Sequence, residues 1–183
     1  MANTGAVTIF RNHRADLTIT ENYPRIDGVA ERNDRFGSAL LGAAGGLLIG
    51  TPGENVGSVV NAGAVTSLTI HCGHTEGDEQ EQELGGGRVF TQRTKGVSGA
   101  AETGDAFGAT LTSVGRTFIV GVPGESIGDA TAAGALTLLP APGGAPVAAG
   151  SRHLSQSSAG VPGASEPGDR FGAALTFFEG AER

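Results

Sequence analysis

Short runs of alternating or continuous apolar residues, bounded by glycine and polar positions, occur along the whole chain and predict β-strands. No window of helical length shows a 3.6-residue apolar period with caps, so the sequence predicts an all-β fold with almost no helix. The predicted strands are residues 15–20, 35–41, 47–50, 62–70, 88–94, 106–112, 117–122 and 134–139.

Three short modules recur in a fixed order, which identifies an internal repeat. The first is Asp-x-Phe-Gly, the second is Gly-x-Pro-Gly-Glu, and the third is Ala-Gly-Ala followed by Val or Leu. The copies are 33–40, 104–111 and 168–175 for the first module, 50–54 and 121–125 for the second, and 62–65 and 133–136 for the third.

The repeated residues are expected to build the fold. A small sheet cannot bury its apolar face alone, so each phenylalanine is expected to wedge between neighbouring sheets. The glycine after it allows another backbone to approach closely. The preceding aspartate can accept hydrogen bonds from nearby backbone amides. The Pro52-Gly53 pair predicts a type II turn, in which the glycine has a positive φ.

Units of about four short strands, placed side by side, are typical of a β-propeller. We therefore predict that residues 1–183 form one partial propeller with two complete blade repeats, 11–70 and 71–139. Residues 1–10 match the end of a preceding repeat, and residues 140–183 match the start of a truncated one. Because known propellers close with about four to eight blades, we expect the chain to be a fragment whose remaining blades lie outside it.

The ordered modules resemble the FG-GAP repeat, the blade unit of the integrin α-subunit propeller. The matching residues are Phe36-Gly37, Phe107-Gly108 and Phe171-Gly172, with the second half of the motif at 50–52 and 121–123. The Pro-Gly-Glu form looks more like the bacterial members of the family. The resemblance implies a secreted or cell-surface scaffold that binds a protein or glycan ligand, as in cell adhesion. The variable loops 22–33, 71–87 and 140–158 are expected to carry recognition.

Many blades of this family carry a calcium loop, Asp-x-Asp/Asn-x-Asp-Gly, between the Phe-Gly strand and the next strand. A calcium site needs several closely spaced oxygen ligands. This chain has no carboxylate between Leu41 and Leu47 or between Thr112 and Thr117. We therefore expect no calcium in these hairpins, and no cofactor.

The composition limits the possible partners. The formal net charge of −7 disfavours nucleic acid, whose phosphates attract clustered basic residues. No apolar run is long enough to cross a bilayer. Cys72 is the only cysteine, so an internal disulfide is impossible.

Two motifs are candidates for chemistry. Gly124-Glu125-Ser126-Ile127-Gly128 matches the Gly-x-Ser-x-Gly nucleophile elbow, but the equivalent serine position in the preceding repeat is Asn55 and no helix is predicted to follow. His71, Cys72 and His74, with Glu76 and Asp78 nearby, could ligate zinc, but they form a single run where zinc sites usually use separated pairs.

A turn and an exposed acidic loop are the preferred interpretations of these two motifs. We thus predict no catalytic, cofactor-binding or metal-binding residue and a chain that is not an enzyme. The alternative function is an accessory propeller module of a secreted enzyme, such as a hydrolase, whose catalytic domain lies outside this chain. A third hypothesis makes the chain itself a hydrolase that uses Ser126.

Overall fold

The structure is a computed structural model that describes residues 2–11, 13–43, 46–72 and 82–177. Within these ranges the chain forms eleven strands and no helix. The strands are β1 (Val7–Arg11), β2 (Arg14–Ile19), β3 (Ala39–Ala43), β4 (Gly46–Thr51), β5 (Ala64–Cys72), β6 (Gln82–Leu84), β7 (Arg88–Phe90), β8 (Thr110–Val114), β9 (Thr117–Val122), β10 (Ala135–Pro140) and β11 (Arg152–Leu154). The all-β prediction is confirmed.

The strands form three antiparallel sheets. β1 pairs with β2, β3 to β5 form a meander with both β6 and β7 on β5, and the last sheet has the order β11-β10-β9-β8. β7 and β11 complete the sheets that precede them, although they follow the predicted repeat boundaries at 70 and 139. β7 and β11, which each pair with the third strand of a meander, therefore come from the segments that lead into the next repeat.

The predicted start of two strands is wrong. Residues 35–41 and 106–112 were predicted as extended, but β3 begins at Ala39 and β8 at Thr110. Arg35 and Ala106 have φ values of 58° and 57°, which no strand accommodates. The Phe-Gly pair instead occupies a tight turn, closed by a 3.0 Å hydrogen bond from the Ser38 amide to the Arg35 carbonyl. The predicted loop 140–158 also contains a strand, β11.

Phe107 wedges between two sheets, as predicted. Its fully buried ring belongs to one apolar cluster with Leu48 and Val65 of the second sheet and Val120 of the third. The Phe107 amide donates to the Ala62 carbonyl at 2.9 Å. Phe36 and Phe171 donate to equivalent carbonyls, that of Thr4 at 2.9 Å and that of Ala133 at 2.8 Å. Each Phe-Gly turn is thereby attached to the module that closes the preceding repeat.

The glycines allow close backbone packing in two different backbone conformations. Gly108 has a φ of 89°, and a Cβ there would lie 2.5 Å from the Ala64 carbonyl oxygen. Gly53 does not have the positive φ of a type II turn, so that prediction is wrong. A Cβ on Gly53 would overlap the Asn33 carbonyl oxygen, and one on Gly124 would overlap that of Gly104. The Pro-Gly turn requires glycine because another backbone passes against it.

Replacing Phe107 by alanine is expected to lower the free energy of unfolding by about 3–5 kcal/mol, because it leaves a cavity between two sheets. Denaturant unfolding measures the change. Phe10→Ala is the control, since this side chain is 68% exposed, and it should have little effect. Equal losses in the two variants would contradict the wedge role.

Gly124→Ala is expected to destabilise the fold by more than about 1 kcal/mol, because the new methyl group meets a fixed carbonyl group. Gly143→Ala is the control, since a Cβ there has no neighbour within 4 Å and the backbone needs no positive φ. Thermal unfolding of the two variants checks the difference. An unchanged melting temperature in Gly124→Ala would show that the turn shifts without cost to make room for the methyl group.

Candidate functional site

Three segments of the first repeat bring acidic side chains together in the interior. Glu21 follows the last residues of β2, Asp34 precedes the Phe-Gly turn, and Glu54 follows β4. One oxygen from each carboxyl group lies within 4.8 Å of the others. Asp34 is fully buried and Glu21 is 3% exposed. We call these three residues the first carboxyl cluster.

Backbone hydrogen bonds fix the geometry of this cluster. The Asp34 carboxylate accepts from the Glu31 amide, and the Asp34 carbonyl accepts from the Gly53 amide at 3.0 Å. The second bond places the turn that carries Glu54 beside Asp34. Asp105 accepts from the Glu102 amide at 2.6 Å in the same way. The predicted role of the aspartate in fixing the loop is therefore confirmed.

The second repeat has a related but different set of residues. Gln92, Asp105 and Glu125 take the positions of Glu21, Asp34 and Glu54 at the ends of the corresponding segments. The Gln92 side-chain amide donates to the Glu125 carboxylate at 2.5 Å. A neutral donor therefore replaces one acid, and the second cluster holds two carboxyl groups where the first holds three.

Burial raises the pKa of every glutamate in these clusters, because a low-dielectric environment disfavours the charged form. Burial, then the charges of Glu54 and Asp34, raise the pKa of Glu21 to about 8. Burial, then the charges of Asp34 and Glu31, raise the pKa of Glu54 to about 7. Glu21 and Glu54 therefore hold a proton more tightly in the folded state than in an unfolded chain.

The second cluster shows the same effect more weakly. Burial and the charge of Asp105 raise the pKa of Glu125 to about 7, against the opposing hydrogen bond from Gln92. Burial raises the pKa of Asp105 to about 6, although the bond from the Glu102 amide favours its charged form. Both acids therefore hold a proton more tightly in the folded state than in an unfolded chain.

An open groove of about 670 Å³ runs across the Phe-Gly turns of three successive repeats. Arg35, Ala106 and Arg170 occupy the same position in the three turns, and all three line the groove. The arginines are exposed. The other lining residues are Ser38, Pro52, Thr103, Gly104, Ala109, Pro123, Gly124, Ser126, Thr131 and Ala132. The groove offers hydroxyl groups and two guanidinium groups and contains no carboxylate among these residues.

The two candidate motifs for chemistry that the sequence contains have different outcomes in the structure. Ser126 lines the groove, but paired hydrogen bonds between Ile127 and Ala130 close a tight turn where a nucleophile elbow needs a helix. His71 and Cys72 lie at the end of β5. Their side chains, His74, Glu76 and Asp78 lie outside what the structure describes, so the zinc hypothesis stays a hypothesis.

Sequence reasoning missed Glu21 and Gln92. The signal that could have found them is a further recurring pair, Thr20-Glu21, Thr91-Gln92 and Ser155-Gln156, each directly after an outer strand. The pair is hard to recognise in the sequence because its second residue changes from acid to amide between repeats, while the Phe-Gly and Pro-Gly modules keep their residues.

Comparison with known proteins finds no protein-family model that matches this chain and no curated sequence that is similar to it. In the part of the chain that the structure describes, no helix has the length and hydropathy needed to cross a bilayer.

The second cluster is expected to make stability depend on pH. The folded pKa of Glu125 lies above its ordinary value. The stability that its protonated form contributes is therefore fully present below the ordinary pKa and is lost as the pH rises through about 7. Between pH 5 and pH 8, Glu125→Gln should lose less stability than the wild type, by about 1–3 kcal/mol. Denaturant unfolding at both pH values measures the difference.

Asp129→Asn is the matched control, because Asp129 is exposed on the turn that follows. It should keep the pH dependence of the wild type. The same pH dependence in Glu125→Gln would mean that this buried acid does not titrate during unfolding.

Proposed function

We propose that this chain is a non-catalytic binding scaffold, a segment of an FG-GAP-type β-propeller that acts outside the cell. Its ligand is an acidic glycan or an acidic stretch of protein, and it binds along the groove over the Phe-Gly turns. One observation carries this proposal. A chain with a formal net charge of −7 has a groove that is lined by Arg35 and Arg170 and by no carboxylate.

The chemistry of the lining residues supports this choice of ligand. Arginine binds carboxylate, sulfate or phosphate groups through two parallel hydrogen bonds. Ser38, Thr103 and Thr131 add hydroxyl groups, which both donate to and accept from sugar hydroxyls. The lining lacks the pair of titratable groups that acid–base catalysis uses. Binding without reaction is the activity that fits this arrangement.

The repeat supports the proposal of a propeller and of a location outside the cell. Each Phe-Gly turn bonds to the closing module of the preceding repeat. The four-stranded sheet has the meander order of a blade, and the five-stranded sheet contains the same order with β6 as an additional strand on β5. The resemblance of the modules to FG-GAP repeats adds the expectation of secretion or cell-surface attachment. Propellers present recognition loops on a rigid frame. The groove lies on the Phe-Gly and Pro-Gly turns, and none of its lining residues comes from the loops 22–33, 71–87 and 140–158.

Binding of oligogalacturonate, whose sugars carry carboxylates, tests the proposal by titration calorimetry, with a neutral maltooligosaccharide and oligoglutamate as comparison ligands. We expect an acidic ligand to bind and the neutral one not to bind. Arg35→Gln with Arg170→Gln should weaken binding by at least about tenfold, since a hydrogen bond to a charged group contributes about 1.5–3 kcal/mol.

The control double variant is Arg93→Gln with Arg152→Gln, which removes the same charge at exposed positions outside the groove lining. It should bind like the wild type at physiological salt. Equal weakening in both double variants would assign the binding to overall charge, and no binding of either acidic ligand would remove the proposed ligand class.

A further inference from the structure

We infer that Glu21, Asp34, Glu54 and Thr51 form a binding site for one divalent cation of the Ca²⁺ and Mg²⁺ class. The second repeat replaces this cation with the hydrogen bond of Gln92. The site is separate from the groove and does not depend on the proposed function. It also lies away from the hairpins in which the family resemblance predicts calcium loops.

The first cluster has the ligand chemistry that such cations need. Its three carboxyl groups each bring an oxygen to within 4.8 Å of the others. Calcium and magnesium are hard cations that prefer oxygen ligands, with carboxylates first among them. One oxygen of each group, Glu21 Oε2, Asp34 Oδ1 and Glu54 Oε2, is buried and has no hydrogen-bond partner among the described residues. Three acceptors without a donor share one small volume.

Thr51 gives an independent indication. Its side chain is fully buried and lies close enough to the Glu21 carboxyl group to lower its pKa. Its hydroxyl oxygen nevertheless has no hydrogen-bond partner of good geometry in the described chain. A buried hydroxyl group without a partner costs free energy. A cation bound to the carboxylates would give this oxygen a role as an additional ligand.

The second repeat provides the comparison. The position of Thr51 is Val122 there, and the position of Glu21 is Gln92. The second repeat therefore lacks the hydroxyl oxygen and one carboxylate. The amide oxygen of Gln92 remains and, like Asp105 Oδ1, is buried without a hydrogen-bond partner among the described residues. The amide nitrogen of Gln92 donates to Glu125 at 2.5 Å. The same backbone therefore holds two acids with an amide donor in the second repeat, and three acids with a hydroxyl group in the first.

The surroundings of the three carboxyl groups favour a bound cation. The three carboxyl groups lie within 4.8 Å of one another, and no described residue donates a hydrogen bond to Glu21 Oε2, Asp34 Oδ1 or Glu54 Oε2. Glu54 is only partly buried, and exposed Glu31 lies beside it. The cluster therefore has one member, Glu54, that solvent reaches.

Titration calorimetry of the chelator-treated protein with CaCl₂ and with MgCl₂ at pH 8 tests the inference. We expect one ion per chain. Glu21→Gln with Thr51→Val converts the first cluster to the residues of the second, so this variant should fold, and it should bind at least tenfold more weakly. Glu125→Gln alters the corresponding acid of the second repeat and should bind like the wild type.

Glu54→Gln keeps the shape of a partly exposed side chain and gives a second variant that should weaken binding. The inference is overturned if neither ion binds the wild type, or if Glu21→Gln with Thr51→Val binds as tightly as the wild type. The cluster would then be neutralised by protons alone.

Discussion

The contact between each Phe-Gly turn and the closing module of the preceding repeat is the interaction on which the fold depends. A small sheet on its own leaves one apolar face exposed to water, and this contact covers that face. Phe107 covers the face formed by Leu48 and Val65, and its amide bonds to the Ala62 carbonyl across the same boundary. Apolar burial and a directional bond thus act at one point, which fixes both the spacing and the register of neighbouring repeats.

The same contact explains why acids are buried in this protein. To reach the preceding repeat, the chain before the phenylalanine makes a tight turn, and its amides need acceptors away from any strand. Asp34 and Asp105 supply them, since each accepts from an amide three residues earlier. The turn with Glu54 or Glu125 packs onto this aspartate through a glycine amide. Carboxyl groups therefore gather in the interior as a consequence of how the turns are built.

The sequence predicted most of the architecture and little of the site. The phenylalanine wedge, the loop role of the aspartate and the absence of helix followed from recurring residues whose roles are local. The start of β3 was not predictable, because Arg35 has a positive φ that its residue type does not favour. In this conformation the Arg35 amide donates to the Asn3 carbonyl at 3.1 Å, a contact with a segment that the local sequence does not reveal. Glu21 was missed because its partners come from distant segments.

The equivalent turn positions Arg35, Ala106 and Arg170 separate what folding needs from what it leaves open. Their φ values of 58°, 57° and 54° are nearly equal, and the amides of Ala106 and Arg170 both donate at 3.1 Å to the closing module of the preceding repeat. Alanine meets this structural requirement as well as arginine does. Because Ala106 fills this position without a charge, the turn does not require the charge of the two exposed arginines that line the groove. The proposal of an acidic ligand assigns a role to this charge, which the turn itself does not need.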